Sequence, residues 1–209
     1  DTCTNNFATL NPLESSTVRG TNTYTEGNLQ VLTPQSESGN TFSTIGVSSG
    51  KWYSEFYIKA NSGLQRATVG VTGDLDATIS SSDNMGGLSG ARDAAYMGND
   101  GDKFISGSES SYGGSAFSNG DVISIALDLD NRTVNFAQNN SFKGTMSIAS
   151  TGTWHMGCGD VSGGATATIV ANYGQDSSFA GNITAANNAD EHGEGLFKYS
   201  PPSGFITLN

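Results

Sequence analysis

The segment 121–130, DVISIALDLD, constrains this chain more than any other. Ile123, Ile125, Leu127 and Leu129 fall on one side of an extended backbone, and Val122, Ser124, Ala126 and Asp128 fall on the other. A period of two belongs to a β-strand with its branched face inward, and a helix would need apolar residues three and four apart. Asp130-Asn131 follows, a pair that tolerates the positive φ of a tight turn. Val134 and Phe136 then resume the apolar face. The spacing predicts a β-hairpin whose outer face, Val122 to Asp128, lies half in solvent.

Similar segments recur along the chain: 7–10, 29–32 (LQVL), 51–60 (KWYSEFYIKA), 67–73 (ATVGVTG), 95–98, 103–106, 154–157, 166–173, 197–199 and 205–208. Gly, Asn, Asp and Ser turns separate them, and the links are too short for parallel crossovers. The composition agrees, since Gly, Ser, Thr and Asn make up 96 of the 209 residues. The apolar share of 35% suits a thin core in which 10 Phe, 7 Tyr and 2 Trp supply much of the buried area. The expected fold is all-β, an antiparallel two-sheet β-sandwich, with residues 1–209 as a single unit.

Nine Lys+Arg stand against twenty Asp+Glu, for a net charge of −11, so no nucleic-acid partner is expected. Every apolar run is strand-length, and membrane insertion is not expected either. The chain opens at Asp1 with no Met and no apolar leader, which suggests a processed form or a fragment. Cys3 and Cys158 either bridge the two ends of the sandwich or stand as two buried thiols. The CxxC and His-rich spacings of structural zinc are absent.

Three stretches read as long loops: 74–92 (DLDATISSSDNMGGLSGAR), 106–119 (SGSESSYGGSAFSN) and 176–194. Such loops serve binding or assembly, or are solvated connections. The binding candidates they supply are Asp83, Asn84, Arg92, Tyr112 and Phe117. Calcium is the one ion worth considering, because it takes carboxylate, amide and carbonyl oxygens. Asp74 and Asp76 beside Asp83 and Asn84, or Asp100 and Asp102 in the turn NDGD, supply part of such a set. A plain acidic turn is the alternative, and no other cofactor is expected.

Catalytic patterns are thin. Glycoside hydrolysis needs two carboxylates across one bond, and no Glu-Asp-Glu alternation exists on a strand. Asp128-Leu129-Asp130 is expected to face solvent at the hairpin, and Glu191-His192-Gly193-Glu194 sits in an Asn/Gly/Ala context. His155 and His192 are the only histidines, and neither Gly-x-Ser-x-Gly nor a nucleotide-binding loop accompanies them. The expectation is a non-enzyme.

Several motifs then coincide. Ser49-Gly50-Lys51-Trp52-Tyr53-Ser54-Glu55-Phe56 resembles the SGKWYWEV strand of SPRY domains, and Val69-Gly70-Val71 resembles their next strand. Residues 117–136 resemble their central GDVIGVALDLDNGTLTF hairpin. Asn172-Tyr173-Gly174-Gln175 with Phe179 resembles their late NFGQ motif. The likeness covers about 45–180 and implies a concanavalin-A-like jelly roll. Ser54 departs from the usual Trp, and Gln138-Asn139-Asn140 replaces the usual NG turn. The flanks, 6–13 and 197–205, resemble the ends of SPRY-like domains in bacteriophage virion proteins, especially marine and cyanobacterial ones. That resemblance implies a non-catalytic domain on the virion surface, in a tail fibre, a tail tip or a capsid decoration. Its implied partners are other virion proteins, a second copy, or a host-surface glycan or protein. The alternative on the same sandwich is a secreted lectin-like module or a glycoside hydrolase.

Overall fold

The computed structural model describes residues 5–15, 21–34, 39–61, 67–80, 84–90, 92–149, 152–160 and 166–209. The described strands are β1 (Leu10–Ser15), β2 (Thr23–Thr25), β3 (Gln30–Leu32), β4 (Thr41–Ser43), β5 (Lys51–Asn61), β6 (Ala67–Thr72) and β7 (Asp93–Met97), followed by β8 (Lys103–Ile105), β9 (Ser108–Ser110), β10 (Val122–Asp128), β11 (Thr133–Gln138), β12 (Ser141–Ser147), β13 (His155–Asp160) and β14 (Ala167–Asn172). One short helix, α1 (Leu75–Ser80), interrupts the stretch expected to be a plain loop. The first sheet runs β1-β4-β13-β6-β7-β8-β9, and the second runs β12-β11-β10-β5-β14-β3-β2. Neighbours pair antiparallel, so the fold is an all-β sandwich.

Phe56 and Ile58 of β5, Ile123, Ile125 and Leu127 of β10, and Val134 and Phe136 of β11 fill the interior from the second sheet. Val69, Val71, Tyr96, Met156 and Cys158 meet them from the first. The central hairpin has the expected register, with Leu127 opposite Val134 and Ile125 opposite Phe136. Its positive φ falls on Arg132, at 58°, rather than on Asp130-Asn131. The next turn sets Asn139 and Asn140 at φ 49° and 67°. Two successive left-handed residues make a tight hairpin turn, so the Asn pair does the work of the usual Asn-Gly. Gly50, at φ +87°, turns the chain into β5, and its N–H bonds Asp130 Oδ1 at 2.8 Å.

Strand β10 departs from expectation, because both of its faces are buried. Val122 is 2% exposed, Ser124 0% and Ala126 4%. The cover is the C-terminal stretch 176–206, which crosses the outer face of the second sheet. Phe197 joins Tyr53 and Ala126, edge-on to Tyr53 at 4.9 Å, with Phe205 packed against them. Phe179 joins Val122 and Val170 and lies 5.6 Å from the Tyr57 ring. The segment 176–194, read as a loop, is therefore part of a strap. The strands expected at 197–199 and 205–208 are reduced to single bridges, Asn188 to Phe197 and Trp52 to Ile206.

One carboxylate fastens this strap. Glu55 on β5 is fully buried and accepts the backbone N–H groups of Lys198 at 2.7 Å and Tyr199 at 2.8 Å. The Tyr53 hydroxyl lies 3.1 Å from the same carboxyl and 2.9 Å from Ser124 Oγ. Cys158 is a buried free thiol on β13, and Cys3 lies outside the described residues.

Candidate functional site

The end of the sandwich between β6 and β7 is built around an ion pair. Thr72 Oγ1 accepts the Asp74 N–H at 3.0 Å, and Asp74 O accepts the N–H of Thr78, which starts α1. Arg92, just before β7, grips Asp74 from three sides: N at 2.5 Å, Nε at 2.9 Å and Nη2 at 2.7 Å. The hydrogen bonds from Arg92 hold the Asp74 carboxyl below the usual carboxylate range. Asp74, Asp76, Arg92, Thr153 and His155 line a concavity of about 450 Å³. The loop candidates Asn84 and Arg92 lie in this stretch, and Asp83 lies outside the described residues. Arg92 already engages both oxygens of Asp74, so a calcium ion there would have to share or displace that grip. Thr153 and His155 were not singled out as binding residues. They reach the concavity from the start of β13, far away in sequence, and His155 Nδ1 lies 3.0 Å from Ser43 O.

The stretch 106–119 corrects a second expectation. Tyr112 and Phe117 do not present themselves to a ligand, since they are 6% and 0% exposed. Both turn inward onto Tyr96, with ring centroids 5.4 and 4.8 Å away. The Tyr112 hydroxyl bonds Gly144 O and accepts Phe136 N–H at 3.1 Å.

Asp100 and Asp102 follow β7, at the opposite end of that strand from Arg92. With Glu109 of β9 they form an acidic group whose carboxylate oxygens lie within 4.8 Å of one another. Asp100 is already held by its neighbours, as Asn99 Nδ2 donates at 2.9 Å and Asp102 N–H at 3.0 Å. Partial burial, then the charges of Asp100 and Asp102, raise the Glu109 carboxyl. Three carboxylates offer between three and six of the roughly six to eight oxygens a calcium ion takes, and both Asp100 oxygens already accept hydrogen bonds. Glu109 was missed because it sits in a run of serines with no ligand spacing to mark it.

Two carboxyls carry strongly displaced acidities. Burial pushes Glu55 up to about 7 and Asp93 up to about 6. A perturbed carboxyl in a cleft marks an active site. These two are sealed, at 0% and 2% exposed, and line neither cavity described here. Glu55 fastens the strap, and Asp93 accepts Gly86 N–H at 3.0 Å and organises the residues before β7. Asp128 is not the solvent-facing acid expected. It is 8% exposed and pairs with Lys51 at 3.2 Å. The Asn131 and Lys51 hydrogen bonds outweigh its burial and hold its carboxyl below the usual range. Glu191 and Glu194 are engaged with Gly204 N–H at 2.8 Å and Asn209 Nδ2 at 2.9 Å.

A second cavity, of about 500 Å³, opens on the outer face of the second sheet beside the strap. Ala126, Asp128, Thr133 and Asn135 form its floor, with Phe142 on one side and Phe205 on the other.

Residues 51–153 match the family model of the SPRY domain. Solved structures with the same fold include the SPRY domain of human HERC1, at 18% identity and TM-score 0.60 over 78% of this chain and 96% of that one. Another human SPRY domain matches at 17% identity and TM-score 0.51 over 70% and 93%. The TRIM65 PSpry domain matches at 15% identity and TM-score 0.59 over 78% and 89%. No curated protein matches the chain significantly.

Proposed function

This chain carries a SPRY domain, and on that premise we propose that it is a non-catalytic binding module that recognises a protein partner through the loop end at Asp74 and Arg92. SPRY domains typically mediate protein–protein interaction. The observation that carries the choice of surface is the half-buried Asp74–Arg92 pair at the rim of a polar concavity, with Asp76, Thr153 and His155 around it. Polar groups held in place and open to solvent suit specific recognition of another protein surface. The perturbed carboxyls, by contrast, are shut inside the fold and serve it.

The setting we propose is the surface of a bacteriophage particle, extracellular, in a tail fibre, tail tip or capsid decoration. There the module binds a host receptor or another virion protein. The support is the likeness of 6–13 and 197–205 to the ends of phage SPRY-like domains, together with an acidic surface of net charge −11 that favours a dispersed particle.

The test uses particles carrying Arg92→Ala together with Asp76→Ala, an exposed residue of the same concavity. Adsorption or assembly is expected to fail while the melting temperature of the purified chain stays nearly unchanged. Normal adsorption together with normal assembly would overturn the reading. Sugar release that vanishes in an Asp or Glu variant would overturn its non-catalytic part.

A further inference from the structure

The cavity on the outer face of the second sheet is remote from the loop end and has its own chemistry. Its floor is a square on two paired strands, with Ala126 opposite Asn135 and Asp128 opposite Thr133. Thr145 of β12 stands across from Asn135. The methyl of Ala126 keeps the floor low between the taller side chains. Phe142 rises on the β12 side, 37% exposed, and Pro202 and Phe205 of the strap close the other.

The polar groups are set in a definite way. Asn135 Oδ1 accepts Gly144 N–H at 3.2 Å, which orients the amide. Among the described residues, Asn135 Nδ2 and the hydroxyls of Thr133 and Thr145 have no protein partner. Asp128 is the one charged side chain in the lining, and Lys51, 3.2 Å away, balances it. The Lys51 ammonium also sits 5.8 Å from the Phe205 ring centre. The cavity is therefore neutral, apolar on two sides and hydrogen-bonding on its floor.

We propose that this cavity binds a neutral saccharide, one pyranose ring lying between Phe142 and Phe205 while its hydroxyls meet Asn135, Thr133 and Thr145. A phosphate or carboxylate ligand finds no unpaired cation in the lining. An apolar peptide side chain satisfies the two rings but leaves an amide and two hydroxyls dehydrated, which is costly. A sugar ring satisfies both kinds of surface, and the volume lies within the ordinary range of small-ligand sites.

The site stands apart from the loop-end reading and does not depend on it. Saturation-transfer NMR of the intact chain with the methyl pyranosides of glucose, galactose and mannose, and with lactose and chitobiose, tests it. Transfer to the ring C–H protons of at least one of these sugars is expected, with a shift of the Asn135 side-chain amide. Phe142→Ala and Asn135→Ala should each weaken binding about tenfold. Thr145→Val, which keeps the side-chain shape, checks that any loss is not misfolding and should weaken binding as well. Arg92→Ala should bind sugar as the parent chain does. Absence of transfer from every sugar, or transfer that survives Phe142→Ala and Asn135→Ala, would overturn the proposal and leave the loop-end reading standing.

Discussion

The stretches 73–92 and 106–119 are both rich in Gly and Ser, yet they cover opposite faces of the first sheet: Tyr112 and Phe117 enter the interior, whereas Leu75, Ile79 and the fully buried Met85 pack on the outer face. The second carries Tyr112 and Phe117, whose rings find Tyr96 and Phe136 inside the sandwich. The first has no aromatic residue; Met85 packs on Phe42, Ala95 and Met97 with Leu75 and Ile79 of the short helix beside it, and the Asp74–Arg92 pair joins its two ends at the rim. One or two large apolar side chains, aromatic in one stretch and aliphatic in the other, decide which face a glycine-rich stretch covers, because each buries enough apolar area to order the backbone that carries it.

Three measurements would break or sharpen that contrast. The largest effect belongs to the inward stretch: Phe117→Ala should cost about 3–5 kcal/mol in denaturant unfolding, through the lost ring and the cavity left behind. A cost below about 1 kcal/mol would mean that the stretch is not part of the core.

The strap offers an intermediate case, ordered by aromatic rings and by one buried acid. Glu55→Gln turns an amide NH₂ toward backbone donors, and about 1–3 kcal/mol should be lost. The pH profile separates this from a simple packing defect. Burial lifts Glu55 from 4.5 to about 7, so the folded chain keeps a proton that the unfolded chain releases. That contribution to stability is full at acidic pH, falls as pH rises above 4.5, and is gone beyond about 7. Asp93, lifted to about 6, acts with the same sign. Asp74, Asp128, Asp176 and Asp190 are held low and act oppositely, losing their contribution as acid protonates them. Melting temperature should thus peak on the acid side of neutrality, and Glu55→Gln should flatten its decline toward pH 7. An unchanged decline would remove Glu55 from the account.

The smallest effect belongs to the rim. Arg92→Ala should change stability by no more than about 1 kcal/mol, since both partners of the pair are near water. A larger loss in calorimetry would show that the ion pair, and not the packing of Met85 alone, holds the stretch on the sheet.

Strand identity was legible wherever apolar residues alternated: the 121–136 hairpin, 51–60 and 67–73 all lie in the sheets. Four strands were not, and the strand expected at 7–10 lies instead at Leu10–Ser15. Thr23–Thr25, Thr41–Ser43, Ser108–Ser110 and Ser141–Ser147 are short or polar, and they exist because a neighbour pairs with them. The burial of Val122, Ser124 and Ala126 was hidden as well. Their alternation reports one inner face, whereas the cover on the other comes from residues far along the chain. For the sites, the Asp74 and Arg92 stretch was marked by its length and charges. Phe142, Asn135 and Thr145 were not, since a cavity on a sheet face is assembled by pairing and leaves no spacing to read.

The strap also sets an order on synthesis. Strands β5 and β10 leave the ribosome well before residues 176–206, so the nascent sheet presents Tyr53 and Val122 to water until the last stretch of chain emerges. During that interval the sheet has an open apolar flank, the kind of surface that chaperones hold and that neighbouring nascent chains adhere to. A released chain that ends before residue 176 should therefore aggregate, and the released 1–209 chain should stay dispersed.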